Sequence, residues 1–269
     1  MQFESIAVDN VRLDVRDVGS GEPVLFMQTA LTADEFQPVA ADPALAGYRR
    51  IVYHRRGYAG SGPVHGPGSI HRDAADCVAL MAEMDFERVH AVGLSYSGAV
   101  ALQFAVNYPD RVSSLTLIEP PPVQIPSADE FRVANERLIA RRQEKGPAAV
   151  LDEFLTIVIG PDWRQVTEDA LPGSSRQMRR DVTTFFDTDL PALLAWEFGA
   201  EDASRIRCPV LYIGGSESGP WFAEVHELML RWFPHADDVI IDGADHSLAL
   251  THPADVAESL AGFLRRNPA

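Results

Sequence analysis

The first 118 residues alternate short apolar runs with segments of helical periodicity. Residues 2–8 and 11–18 alternate apolar and polar positions around Asp9-Asn10, and they predict an opening β-hairpin. Apolar runs at 23–28, 50–53, 89–93 and 114–118 predict strands that are buried on both faces. Residues 70–84 and 98–107 repeat apolar positions at helical spacing. This alternation predicts an α/β protein with a mostly parallel sheet flanked by helices.

The pattern changes after residue 118, where Glu119 precedes three prolines that can continue neither a strand nor a helix. Ser127 and Glu130 have the spacing of a capping box and predict a helix to about residue 145. Further helical stretches are predicted at 148–158, 165–170 and 175–198. Strand patterns return at 209–214 and 238–242, with helices near 221–233 and 253–266. We therefore expect a core of residues 1–120 and 206–269, interrupted by a helical cap over 121–205.

Composition narrows the choice of partners. The 269 residues fit one main domain with an insertion, and the formal net charge of −16 argues against nucleic acid or an anionic membrane as a partner. The sequence contains neither a leader pattern nor a long apolar span, so we expect a cytoplasmic protein. Cys77 and Cys208 fall outside metal or redox spacing and are predicted to be reduced thiols.

The strongest candidate for chemistry is Ser95, which lies between a predicted strand and a predicted helix. A nucleophile on so sharp a turn needs small residues two positions away on either side, and Gly93 and Ser97 supply them, although the usual pattern has glycine in place of Ser97. The helix N-terminus would present the amide of Tyr96 to a developing oxyanion. Ser95 is therefore predicted to be a nucleophile rather than only a helix cap.

Four segments together resemble the α/β-hydrolase superfamily: residues 25–30, residues 55–62, the Ser95 turn, and residues 242–253. The resemblance implies an α/β-hydrolase fold with an all-helical cap inserted after strand 6. It also implies that His246 is the general base and that the amide of Ala30 is a second oxyanion donor. Gln28 and Thr29 replace the His-Gly that the family commonly has, and we predict that both line the substrate pocket.

The acid of the triad is not in its usual place. Relatives commonly have Asp at the position of Ser218, yet the third member must be anionic to hold the imidazole tautomer. Glu119 ends the strand that follows the Ser95 helix, at the sheet edge where such sites assemble. The chain also resembles a set of these enzymes that pairs Glu-Pro-Pro here with a Gly-Gly loop lacking the later Asp. We expect Glu119 to be the acid, with Glu217 as the alternative.

A serine nucleophile favours acyl chemistry, because dehalogenases and epoxide hydrolases of this superfamily use aspartate. We expect a serine hydrolase that acts through an acyl-enzyme on a small, mostly apolar ester, lactone or thioester, without a cofactor or a metal. The expected partner is a small-molecule substrate, and the sequence leaves open whether the protein forms a homodimer. A C–C bond hydrolase and a non-hydrolytic cyclase, isomerase or ligand-binding protein are the alternatives; Gln28-Thr29 favours the non-hydrolytic class.

Overall fold

The computed structural model describes residues 3–269 and is built around an eight-stranded sheet. The strands are β1 (Glu4–Val8), β2 (Val11–Val18), β3 (Pro23–Met27), β4 (Arg49–Tyr53), β5 (Val89–Leu94), β6 (Val112–Ile118), β7 (Val210–Gly215) and β8 (Asp237–Ile241). Their order is β1-β2-β4-β3-β5-β6-β7-β8, and all pairs are parallel except β1 with β2 and β2 with β4. All predicted strands are present to within two residues, while residue 2 of the hairpin prediction lies outside the described residues.

Helices cover both faces of the sheet. They are α1 (Gln37–Ala41), α2 (Ile70–Glu83), α3 (Tyr96–Asn107), α4 (Ala128–Lys145), α5 (Pro147–Val158), α6 (Trp163–Ala170), α7 (Ser174–Thr184), α8 (Leu190–Leu194), α9 (Ala200–Ala203), α10 (Pro220–Trp232), α11 (Leu248–Thr251) and α12 (Pro253–Arg266). Apolar side chains of α2, α3 and α10 pack on one face, and those of α1 and α12 pack on the other. The predicted fold class is confirmed. No helix within residues 3–269 is long and apolar enough to cross a membrane.

The segment between β6 and β7 contains helices and no strand among its described residues. Buried side chains such as Leu151, Trp163 and Met178 give it a core of its own, which also contacts Leu31 next to the sheet. The helix predicted over 175–198 differs from the one observed, because α7 passes through a π-helical turn at Phe185–Asp189 into α8 and ends at Leu194. π-helical turns inside α-helices often occur at functional sites.

The capping box predicted at Ser127 is wrong. Ser127 has φ −89° and ψ 17°, and its side chain makes no capping hydrogen bond at the start of α4. Its backbone N–H instead donates to Glu224 Oε2 at 3.0 Å. Because a distant side chain occupies this amide, Glu130 has no free donor on Ser127 to accept from, and the reciprocal pair cannot form.

Candidate active site

Ser95 occupies a strained turn between β5 and α3. Its φ is 50° and its ψ is −121°, in a region that residues with a side chain rarely adopt. A Cβ on Gly93 would lie 2.2 Å from the Ser97 carbonyl oxygen, so the turn requires glycine there. The hydroxyl of Ser97 accepts from the N–H of Leu94 at 2.9 Å and donates to its carbonyl at 3.0 Å. Serine therefore fits at the position of the usual glycine because its hydroxyl is buried and fully bonded.

Glu119 and His246 are joined by a short hydrogen bond. His246 Nδ1 lies 2.6 Å from Glu119 Oε2, and both side chains are buried. The other carboxylate oxygen of Glu119 accepts from the N–H of Gly215 at 2.8 Å. These two donors fix the carboxylate, so that Glu119 holds one edge of the imidazole in place.

The backbone at Glu119 explains why its side chain reaches the histidine. Its φ is 42°, so the chain turns sharply where β6 ends, and Pro120 then packs against Gly98 of α3. The N–H of Glu119 donates to the Ile213 carbonyl on β7 at 3.1 Å. Glu217, the alternative acid, is exposed to solvent.

Ser95 and His246 line one pocket, although no hydrogen bond joins them among the described residues. Hydrogen bonds between nucleophile and base are often long in the absence of substrate and tighten in the Michaelis complex. The ring of Phe222, from the first turn of α10, stacks on His246 with centroids 3.9 Å apart and planes 18° apart. The imidazole is thus held by Glu119 at its edge and by Phe222 on its face.

The two predicted oxyanion residues lie beside this pocket. Tyr96 is the first residue of α3, where the backbone amide has no partner within the helix. Ala30 lines the pocket together with Ser95, and the residue after it, Leu31, has a φ of 62°. The backbone of the Ala30 loop is therefore strained next to the candidate nucleophile.

Thr29 lines the pocket, whereas Gln28 is not among its lining residues. Gln28 is buried, and its Oε1 accepts from the N–H of Arg55 at 2.5 Å. This side chain ties the loop after β3 to the loop after β4. The structure thus brings only one of the two predicted substrate-binding residues to the pocket.

The pocket is small and has one polar side and one apolar side. The cavity volume is about 60 Å³. Apolar side chains of the insertion line one side, namely Phe154, Leu155, Val158 and Ile159. The polar side contains Thr29, Thr32 and Glu35 with Ser95 and His246. The insertion therefore closes over Ser95 through α5 and the residue that follows it.

Glu35 is a pocket residue that the sequence pattern did not single out. It is 8 % exposed, no arginine or lysine within residues 3–269 forms an ion pair with it, and burial raises its pKa to about 7. The nearby His246 and the hydroxyl of Thr32 lower this pKa only in part. Neither Glu35 nor Phe222 belongs to a motif, and their closeness to His246 depends on tertiary packing.

Comparisons with known proteins agree with this architecture. Residues 23–156 match a family model described as alpha/beta hydrolase fold. A relative from Pseudomonas syringae named "Putative carbamate hydrolase RutD" is 27 % identical over 231 residues, which are 82 % of this chain and 85 % of the relative.

Two solved structures share the whole fold. An esterase from Thermogutta terrifontis superposes with a TM-score of 0.84 at 22 % identity, covering 100 % of both chains. An enol-lactonase from Burkholderia xenovorans LB400 gives a TM-score of 0.82 at 21 % identity, covering 97 % of this chain and 100 % of the other. With the sheet order, the turn at Ser95 and the family match, these likenesses show that the chain belongs to the α/β-hydrolase fold superfamily.

Proposed function

We propose that this protein is a serine hydrolase that cleaves small, mostly apolar acyl substrates through an acyl-enzyme. The observation that carries the proposal is the combination of a strained Ser95 turn with a histidine in the same pocket whose far nitrogen is bonded to a buried carboxylate. A nucleophile, a base and an acid that orients the base form the arrangement by which serine hydrolases activate a hydroxyl.

The reaction follows from these positions. His246 takes the proton of Ser95 as the hydroxyl oxygen attacks the acyl carbon, and Glu119 stabilises the imidazolium that forms. The amides of Ala30 and Tyr96 donate to the oxyanion. Collapse of the tetrahedral intermediate releases the alcohol or thiol, which takes the proton from His246. Water then attacks the acyl-enzyme by the same steps, which releases the acid and restores Ser95.

The pocket supports a short acyl group. A volume of about 60 Å³ is well below that of a typical ligand pocket, which favours a short acyl group over a long one. The side chains of Phe154, Leu155 and Val158 favour an apolar group there. Among the similar proteins are ones named carbamate hydrolase, esterase and enol-lactonase, which fits cleavage of an acyl group, alongside ones named chloroperoxidase and epoxide hydrolase.

A series of p-nitrophenyl esters from acetate to decanoate tests the proposal. We expect the largest kcat/KM for the short esters, and we expect Ser95→Ala to lower kcat by at least about three orders of magnitude. Thermal unfolding of Ser95→Ala must match that of the unmodified protein, which separates loss of the nucleophile from loss of the fold. Ester cleavage that persists in Ser95→Ala would overturn the assignment.

A further inference from the structure

Arg55 is a buried cation that joins the core to the helical insertion. Its guanidinium donates to Asp73 Oδ2 on α2 at 2.8 Å, and to the two carboxylate oxygens of Asp189 at 2.5 Å and 3.2 Å. Asp189 belongs to the π-helical turn of the insertion. Removing one partner of such a buried pair leaves an uncompensated charge, so the cluster strongly favours a single arrangement of these elements.

The same guanidinium holds the loop that precedes Ala30. Arg55 Nε donates to the Gln28 carbonyl at 3.0 Å, and Nη2 reaches the Thr29 carbonyl at 3.5 Å. The Thr29 carbonyl and the Ala30 N–H belong to one planar peptide unit. The contact at 3.5 Å is long for a hydrogen bond, and with the firmer bond to Gln28 it fixes the direction in which the Ala30 amide points.

A second contact anchors the loop on the other side of Ala30. The N–H of Leu31 donates to the hydroxyl of Tyr58 at 3.3 Å, and this hydroxyl donates to Asp189 Oδ2 at 2.6 Å. Leu31 has a φ of 62°, a strained conformation that persists only where surrounding contacts hold it. Asp189 therefore accepts from Arg55 before Ala30 and from Tyr58 after it, while Gln177 of α7 separately donates to the Leu31 carbonyl at 2.8 Å.

The residue that supplies the other oxyanion amide contacts the same cluster. The Arg55 guanidinium lies 4.3 Å from the centroid of the Tyr96 ring, and the Tyr96 hydroxyl donates to Asp73 Oδ2 at 2.8 Å. Ala30 and Tyr96 lie on different elements of the core, and the Arg55 cluster is a contact that both of their neighbourhoods share with the insertion.

We propose that Asp189 is a positioning residue for the oxyanion hole, because it holds Arg55 and Tyr58 and thereby fixes the peptide unit that carries the Ala30 N–H. This inference rests on the proposed function, in which that amide stabilises the oxyanion. Since Asp189 comes from the insertion, the oxyanion hole is complete only when the insertion is seated on the core. The insertion thus contributes to the rate of the chemical step as well as to the walls of the pocket.

An inhibitor that mimics the oxyanion tests this role. A short alkyl trifluoromethyl ketone adds to a catalytic serine and places a negative oxygen in the oxyanion hole. We expect Asp189→Asn to raise its inhibition constant by at least about tenfold and to lower kcat by a similar factor, while KM for p-nitrophenyl butyrate changes by less than about twofold. A loss confined to KM would overturn the proposal, because it would mean that Asp189 serves ground-state binding.

Asp76→Asn is the matched control. Asp76 lies on the same helix as Asp73 and forms a buried pair with Arg56 at 2.6 Å and 2.7 Å, but Arg56 also contacts Asn10 rather than the Ala30 loop. This variant should lower the thermal midpoint and leave the inhibition constant unchanged. If Asp76→Asn weakens the inhibitor as much as Asp189→Asn does, general destabilisation explains the effect and the proposal falls.

Amide hydrogen exchange over residues 28–32 gives a readout that does not depend on activity. Compared with the unmodified protein, exchange should be faster in Asp189→Asn and unchanged in Asp76→Asn. Equal exchange in the unmodified protein and both variants would refute the proposal. If Asp189→Asn fails to fold, Tyr58→Phe is the variant to test. Loss of the Tyr58 hydroxyl should speed amide exchange at Leu31 and raise the inhibition constant, and no change in either would refute the proposal. Labelling of Ser95 by a fluorophosphonate tests the proposed function separately. If Asp189→Asn is still labelled at Ser95 but its inhibition constant is unchanged, the role proposed for Asp189 is wrong while the proposed function stands.

Discussion

Two buried glutamates lie near His246, and their surroundings differ. Glu119 follows β6 and is 1 % exposed, and its two oxygens accept from His246 Nδ1 and from the N–H of Gly215. Glu35 lies in the loop region after β3 and is 8 % exposed, but no arginine or lysine in the described part of the chain pairs with it, and burial raises its pKa to about 7. Burial alone therefore does not decide what a carboxylate does here.

The difference lies in the donors that each carboxylate meets. Glu119 accepts from the imidazole and from a backbone N–H, and these two bonds let it orient the histidine. At Glu35 the Thr32 hydroxyl and His246 offset only part of the burial that raises its pKa. In the proposed mechanism Glu119 orients the base, while Glu35 is a pocket group whose charge changes near neutral pH. Variants at the two positions should therefore change different measured quantities.

Glu119→Gln should have the largest effect. Glutamine keeps the shape but offers no negative charge to the imidazolium, so kcat for p-nitrophenyl butyrate should fall by about three to four orders of magnitude. Steady-state kinetics measures this loss of kcat, and thermal unfolding checks that the variant is folded. Glu217→Gln is the matched control, because Glu217 is the exposed alternative and its loss should leave kcat unchanged. A larger loss in Glu217→Gln than in Glu119→Gln would reverse the assignment of the acid.

Glu35→Gln should act on stability and depend on pH. Because the folded pKa lies above the value of about 4.5 in the unfolded chain, the folded protein keeps this proton while the unfolded chain releases it. Glu35 therefore lowers the free energy of unfolding as pH rises from about 4.5 to about 7, by up to about 3 kcal/mol.

Denaturant unfolding of both proteins across this range checks the prediction. Glu35→Gln should be more stable than the unmodified protein at about pH 8, and the two should be similar at about pH 4. A stability difference that is the same at both pH values would contradict the burial-driven pKa of Glu35.

Phe222→Leu should have the smallest effect. Leucine retains apolar contact but not the flat face that stacks on His246 at 3.9 Å, so the imidazole gains freedom to tilt away from Glu119. We expect kcat to fall a few-fold, with a stability cost of about 1 kcal/mol. Kinetics and thermal unfolding measure the two effects, and an unchanged kcat would show that Glu119 alone fixes the ring.

Local patterns were enough to predict much of the fold. β5 is buried along its whole length, and its apolar run is typical of a strand covered on both faces. The Ser95 turn was found because its strain demands small neighbours at fixed spacing. Glu119 was singled out partly from its place at the end of a strand before Pro120, and partly from the resemblance to α/β-hydrolases, whose usual acid position is Ser218 here.

Contacts between distant segments could not be predicted in this way. The Glu130 half of the capping box predicted at Ser127 cannot form because the Ser127 N–H donates to Glu224, 97 residues later. Gln28 is turned toward Arg55, which no pattern around residue 28 indicates. The contact between Arg55 and Asp189 spans 134 residues and joins two segments whose relative position is set by the fold of the insertion.

Intact-mass spectrometry after reaction with a fluorophosphonate shows directly whether Ser95 is the nucleophile. If Ser95 is the nucleophile, the unmodified protein should carry one phosphonyl adduct on the peptide that contains Ser95, and Ser95→Ala should carry none under the same conditions. An adduct of the same yield on Ser95→Ala, or an adduct mapped to another residue of the unmodified protein, would contradict this assignment.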